Sequence, residues 1–362
     1  MSRSTFVGLD AHKDSIFVAM LAPDSKSAVQ WQLPNGPTAA RKLARRLKRE
    51  GSDEVHACYE AGPCGYVLQR QLEKEGVQCD VVAPSLIPVK PGDRIKTDRR
   101  DAKKLAELLR AELLTVVHPL TEAEEAIRDL CRCREDAKHD ETRARHRLMK
   151  FLLRNGHSYT DGRAWTQKHG QWLRGLRFAD DVQQAVFDEY LLVVEQRGER
   201  VRCIEAQIER VAAKEPYRDA VAHLRCFRGI DTVTAMTIVA ELHDIRRFKS
   251  PRDLMAYLGL VPSEHTSANK HRRGGITKAG NSHVRRVLVE TSWQYRRKPT
   301  VGESLRARRR GQPPTVVAIA DRAMNRLHRR YWSLTMRGKP HNVATIAVTR
   351  ELVGFVWAAL AA

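Results

Sequence analysis

Four carboxylates in the first third of this 362-residue chain stand where the edge of a β-sheet can gather them. Asp10 closes the apolar run FVGLD, and Glu60 closes EVHACYE. Asp98 and Asp101 lie in KTDRRDA, three residues apart and so on one face of a helix starting there. Clustered carboxylates raise one another's pKa unless a cation neutralises them. Mg²⁺ takes hard oxygen ligands and commonly shares its shell with phosphates, and Mn²⁺ can take its place. Two such ions roughly 3.5–4 Å apart stabilise both the attacking and the leaving oxygen in phosphoryl transfer. Each acid alone has a plainer reading: Asp98 caps its helix, and Glu60 is an ordinary solvent carboxylate. Together they make a candidate metal site.

The rest of the chain carries the opposite charge. Lys and Arg number 64 against 43 Asp and Glu, a formal +21 that points to a polyanion. Between Lys270 and Arg310 there are thirteen basic residues and two acids, with Trp293 and Tyr295 interleaved. A charge run is usually a solvated face, but this density suits neutralisation of a DNA or RNA backbone. Candidate contacts are Lys270, Arg272, Arg273, Lys278, Arg285, Arg286, Arg296 and Arg297; Lys278, Arg285 and Arg286 serve equally well to solvate a helix. An ATP-dependent enzyme would need glycine-rich, phosphate-cradling hairpins. The first hairpin here, DAHKDS, has no glycine, and no P-loop occurs.

The elements that must position these groups fall into three pieces. Over residues 1–120, three β-rich runs (Thr5–Leu9, Ser15–Leu21 and Ala28–Leu33) precede an alternation of helices and strands. That order predicts an α/β sheet with an antiparallel lobe, as in a ribonuclease H-like or RuvC-like core. Residues 121–216 lose the strands. One helix starts at the Thr121–Glu124 capping box, and a second covers Asp181–Ala213. Phe187, Leu191, Val194, Val201, Ile204, Ile208 and Val211 form a heptad-like stripe on that second helix, broken at Gly198. The stripe faces either the first helix or a second copy, and a coiled-coil arm that also dimerises satisfies both. Residues 217–362 read as mainly helical with a glycine-rich insert. There Leu224–Leu242 resembles a helix-hairpin-helix turning at Gly229, which suits a phosphate.

Seven cysteines without a CxxC argue against a disulfide framework or a cysteine zinc site and fit a reducing cytosol. No signal-peptide pattern opens the chain. The apolar run Leu352–Ala362 is too short to span a bilayer and reads as a buried helix, so a cytoplasmic protein is expected.

Taken in order, VGLDAHKDS, CYEAGPCGY, KTDRRDAKKLAELL and YLGLVPSEHTSANKHRRGGITKAGNSHVRRVLVE resemble the DEDD-type insertion-sequence transposases, over nearly the whole chain. These are bacterial mobile-element recombinases guided by a bridge RNA. The resemblance implies that Asp10, Glu60, Asp98 and Asp101 hold Mg²⁺ and that Ser267 is the nucleophile, forming a 5′-phosphoserine link to DNA. It implies DNA, a guide RNA and further copies of the chain as partners, with dimers pairing into a tetramer, and association with the nucleoid when bound to DNA. The family's Ser-Gly pair is Ser267-Ala268 here, and Ser263, Thr266 and Ser282 are neighbouring hydroxyls. Two rival readings keep the same residues in other roles: a resolvase-like endonuclease using water, and a non-catalytic nucleic-acid scaffold whose acids are structural.

Overall fold

Alternating apolar residues at the N-terminus build a six-stranded sheet ordered β3-β2-β1-β4-β5-β6. The computed structural model describes residues 4–52, 54–89, 97–267 and 270–362. The chain divides into two units, Met1–Thr121 and Glu122–Ala362. In the first, β1 (Ser4–Ala11), β2 (Ser15–Leu21) and β3 (Val29–Pro34) form an antiparallel meander. On the other side of β1, β4 (Glu54–Glu60) and β5 (Gln78–Val82) run parallel to it, and β6 (Val116–Val117) closes the edge antiparallel. Helices α1 (Ala39–Glu50) and α2 (Val67–Lys74) place Leu43, Leu47 and Leu72 in a core with Val7, Leu9 and Val18. This mixed α/β unit is consistent with the expected nuclease-like core.

Helix α3 (Asp98–Arg110) presents Ala102, Leu105, Ala106 and Leu109 as its buried side. The helix lies unusually close to β1. A Cβ built on Gly8 would stand 2.0 Å from the Ala102 carbonyl oxygen and 2.6 Å from the Ala106 nitrogen. Small residues on both sides therefore set the separation of helix and strand.

The second unit begins with two long helices, α4 (Glu122–Arg154) and α6 (Asp181–Ala212), separated by α5 (Gln167–Gly175). Arg134 pairs with Glu205, while Leu148 and Phe151 share a core cluster with Phe187 and Val194, so α4 and α6 run antiparallel. The stripe on α6 is covered within the chain: Phe187, Val194, Val201, Ile204 and Ile208 are buried. Its gap at Gly198 faces Glu141, a buried carboxylate held by Lys138 and Arg145. The seam that could have faced a second copy is thus used internally.

The root of this helix pair shares one core with the C-terminal helices, since Cys131, Val201 and Ile208 cluster with Phe227, Ile238 and Leu352. These helices are α7 (Arg218–Arg225), α8 (Thr232–Leu242), α9 (Pro251–Tyr257), α10 (Ser282–Ser292), α11 (Glu303–Arg309), α12 (Pro314–Met336) and α13 (His341–Leu360). The two helices expected on either side of Gly229, read as resembling a helix-hairpin-helix, are present as α7 and α8, but the chemistry of the turn differs from the expectation. Asp231 caps α8 with its carboxylate, and Arg308 and Arg309 cap the Ile230 and Cys226 carbonyls, so the turn offers an anion a carboxylate rather than empty amides. The glycine-rich insert is a two-stranded hairpin, β7 (Pro262–Ser267) and β8 (Lys270–Ile276). Helix α13 is long and apolar enough to cross a bilayer, yet Ala344, Val348, Leu352, Val353, Val356 and Ala359 are all fully buried in the core.

Gly8→Ala is expected to lower the stability of the first unit by about 1–3 kcal/mol, because a methyl must displace helix backbone rather than a flexible side chain. Chemical denaturation of wild type and variant checks this. An unchanged midpoint would mean that α3 is free to move.

Candidate functional site

Parallel pairing of β1 and β4 ends at Leu9 opposite Tyr59, which leaves Asp10 and Glu60 as the next residues on adjoining strand ends. Asp98 and Asp101 lie in the first turn of α3, whose N-cap Thr97 accepts a hydrogen bond from the Arg100 N–H. Acids are favoured there by the helix dipole. The structure brings Asp10 and Asp98 together with a residue that was not anticipated, His12. Its Nε2 lies 3.3 Å from Asp10 and 3.7 Å from Asp98, and one donor atom from each of the three side chains falls within 4.8 Å of the others. Glu60 and Asp101 stand outside this tight group. Sequence held one signal for His12: it stands two residues after Asp10, in the turn just past the end of β1 at Ala11.

Asp10 is pushed above the usual carboxylate range, chiefly by burial; the His12 charge acts against this, and Asp98 and Asp101 add to it. Three oxygen and nitrogen donors at this spacing, carrying unbalanced negative charge, fit a divalent cation. The turn is held rigidly as well. Asn35 donates its side-chain N–H to the His12 carbonyl at 2.7 Å, and the His12 N–H reaches the Ser15 carbonyl at 2.8 Å. A cleft of about 640 Å³ lined by His12, Lys13, Asn35, Cys64 and Gln71 adjoins the acids.

In the second unit, Ser267 is exposed at the end of β7, paired with Lys270 across the hairpin. Ala268 lies outside the described residues. The Ser263 hydroxyl donates to the Gly275 carbonyl, Thr266 donates to Glu264, and Ser282 is the first residue of α10. The base of the hairpin is closed by Thr277 N–H to Val261 O, Lys278 N–H to Gly259 O and Asn281 N–H to Tyr257 O. Gly280 (φ +68°) makes that closure possible, since a Cβ there would stand 1.9 Å from the Tyr257 carbonyl oxygen. Asn281 caps α10 and donates to the buried Glu241, onto which Arg132 forks at 2.7 and 3.0 Å. Burial works against the Glu241 charge, but the bonds from Arg132 and Asn281 outweigh it and hold the carboxyl below its ordinary range.

Residues 7–155 match a DEDD transposase model, and residues 221–307 match the model of the transposase IS116/IS110/IS902 family. The chain is 40% identical to the putative transposase y4qE of Sinorhizobium fredii over 98% of its own length and 88% of the relative's. The chain belongs to the IS116/IS110/IS902 transposase family. It is 37% identical to the transposase for insertion sequence element IS1533 of Leptospira borgpetersenii, covering 94% of this chain and 99% of that one. The transposase for IS1328 of Yersinia enterocolitica is 24% identical over 93% of this chain and 98% of its own. Transposases cleave and rejoin DNA, so the polyanion inferred from charge includes DNA.

Within this transposase the basic candidates divide by what they touch. Arg285 donates to the Leu258 and Ala279 carbonyls at 2.8 and 2.9 Å, tying α10 to the hairpin base. Arg286 bridges Glu135 and Glu290. Arg272, Lys278, Arg296 and Arg297 are exposed. The side chains of Lys270 and Arg273 lie outside the described set. Arg285→Ala should therefore reduce strand transfer by loosening the hairpin, while the salt dependence of nucleic-acid binding stays unchanged; a flatter salt slope would make Arg285 a phosphate contact.

The Asp10 shift has a consequence for stability. A carboxyl whose folded pKa lies above its unfolded value favours folding only as it takes up a proton, so at pH 7 ionised Asp10 costs stability. In protein stripped of divalent ions, Asp10→Asn is expected to raise the melting temperature at pH 7 by a few degrees, with the advantage shrinking as pH falls through the acid range. A lower melting temperature would place Asp10 in a purely structural role.

Proposed function

We propose that this transposase excises and inserts its own mobile element, with Asp10, Glu60, Asp98 and Asp101 as Mg²⁺ ligands and Ser267 as the nucleophile. The observation that carries the reading is the gathering of Asp10, His12 and Asp98 at one strand end, in a chain of formal charge +21. Bound divalent ions would stabilise charge on the attacking and leaving oxygens of a DNA phosphate.

The chain's own residues divide the remaining work. Ser267 is a weak nucleophile in isolation, and activation requires that its proton be removed. In the proposed step the Ser267 Oγ–phosphorus bond forms and the bond from phosphorus to the 3′ oxygen breaks. The serine proton passes through solvent to the leaving 3′ oxygen. The product is a 5′-phosphoserine link and a free 3′-hydroxyl. Attack by a 3′-hydroxyl from the partner strand then restores the phosphodiester and releases serine, so the phosphoester bond is conserved and ATP is not consumed. Ser267 is favoured over its neighbours because the Ser263 and Thr266 hydroxyls already donate within the hairpin. His12, touching both Asp10 and Asp98, orients those carboxylates and offers a nitrogen donor beside them.

Resemblance to the family extends the proposal to a bridge RNA that selects sites by base pairing, and to dimers assembling as a tetramer on nucleoid DNA. Protein contacts would then read mostly backbone and shape.

Sequencing across excised element ends in cells tests the mechanism, using wild type, Asp10→Ala and Ser267→Ala expressed with the native flanking DNA. Both variants should lower junction counts by at least about 100-fold, in line with loss of an essential group, and one discrete RNA should co-purify with wild type. If Ser267→Ala retains junctions while Asp10→Ala loses them, water or a DNA hydroxyl is the nucleophile. If Asp10→Ala retains them, the acids are structural.

A further inference from the structure

Helix α12 turns one face to a cleft of about 900 Å³. Arg322, Arg326 and Arg329 line it at steps of four and three, which makes them a single stripe along roughly 10 Å of helix. Pro299, His328 and Phe355 are also part of the lining, and Pro299 brings the exposed run Arg296–Arg297–Lys298 to the rim. That run is fixed through its backbone. Trp332 Nε1 donates to the Arg296 carbonyl at 2.9 Å, and Arg228 donates to the Lys298 carbonyl at 2.5 Å. His328 donates from Nδ1 to the Tyr295 carbonyl at 3.0 Å. Side chains of the run are thereby left to solvent while their main chain is rigid.

The acids near this cleft are already answered. Asp321 accepts from Arg309 at 2.7 Å, and Glu351 faces both Arg326 at 2.7 Å and Arg330 at 3.3 Å. Arg322 and Arg329 make no ion pair among the described residues. Unneutralised guanidinium groups held on a rigid helix beside a second fixed basic run repel one another and favour a polyanion. Phosphates recur about every 3.4 Å of axis along one strand of a duplex, so a 10 Å stripe faces roughly three of them.

We propose that this cleft is a nucleic-acid track. The α12 stripe and the Arg296–Lys298 run grip one phosphodiester backbone, away from the Ser267 hairpin in sequence. The proposal rests on the transposase acting on nucleic acid; it adds the α12 stripe, which lies outside the basic segment recognised from sequence, and joins it to the Arg296–Lys298 end of that segment. The occupant is duplex DNA, because transposases act on DNA and the stripe matches the phosphate repeat of one duplex strand; single-stranded RNA, with the same phosphodiester chemistry, is the rival that the test separates.

Binding of the full-length protein to fluorescent duplex DNA and to single-stranded RNA is measured across a salt series. The probe variant is Arg322→Gln with Arg329→Gln, which leaves the Glu351 pairs intact. A charge-matched control is Arg197→Gln with Arg200→Gln, exposed on α6. The probe variant should flatten the slope of log affinity against log salt by about 1.8 for duplex DNA, while the control leaves it unchanged. A slope that changes for single-stranded RNA and not for duplex DNA would overturn the assignment to DNA. Equal slopes for probe variant and control, with wild type steep, would overturn the cleft alone. Salt-independent wild-type binding to both would overturn the nucleic-acid reading beneath it.

Discussion

The acidic site depends on one steric fact: α3 approaches β1 over Gly8, with only backbone and alanine between them. Because β1 is central and its end carries Asp10, any residue larger than glycine would push the helix, and Asp98 with it, away from the strand end. Close packing has an electrostatic result. It sets like charges together and half-buries one of them, so Asp10 is pushed up in pKa and carries a cost that a divalent cation would relieve. The Asn35 bond to the turn serves the same end, since it keeps His12 in place beside two carboxylates.

A comparable economy governs the second unit. Glu241, buried on α8, takes a fork from Arg132 on α4 and a side-chain amide from Asn281 at the start of α10. Three helices thus meet at one carboxylate, directly beneath the turn that closes the serine hairpin. Removing one partner of such a buried pair typically costs about 3–5 kcal/mol, which makes the hairpin base a rigid platform rather than a loose loop. Arg285, Arg308 and Arg309 extend the pattern by capping carbonyls. Arg285, Arg286, Arg308 and Arg309, four of the thirteen basic residues read as a nucleic-acid surface, therefore hold the fold together.

How much was legible in sequence follows from what each feature needs. The strands of the first unit and its antiparallel lobe were readable because alternation and glycine–proline punctuation are local signals, whereas their order in the sheet was not. Asp10 and Glu60 were readable as strand ends, and Asp98 with Asp101 as a helix start. The antiparallel pairing of α4 and α6 was readable from the stripe, although its choice of face was open, and α4 took it. The β7–β8 hairpin was not anticipated: PSEHTS and KHRRGGI have too few apolar residues for a strand pattern, and their pairing comes from closure at Tyr257–Val261 and Thr277–Asn281.

By itself, then, the sequence determined the class of chemistry and the partner: carboxylates at element ends, a surplus of cations and an ordered set of motifs. Those depend on residue types and short spacings, which the chain carries along its length. Tertiary structure alone decided which charges stay in water. Arg285 and Arg286 share one helix with consecutive numbers, and Arg296 and Arg297 another turn, yet the first pair meets carbonyls and carboxylates while the second remains exposed. His12 becomes a neighbour of Asp98 only because a helix eighty-odd residues later packs on the same strand. Proximity between distant segments is set by packing, and packing is where like spacing acquires unlike roles.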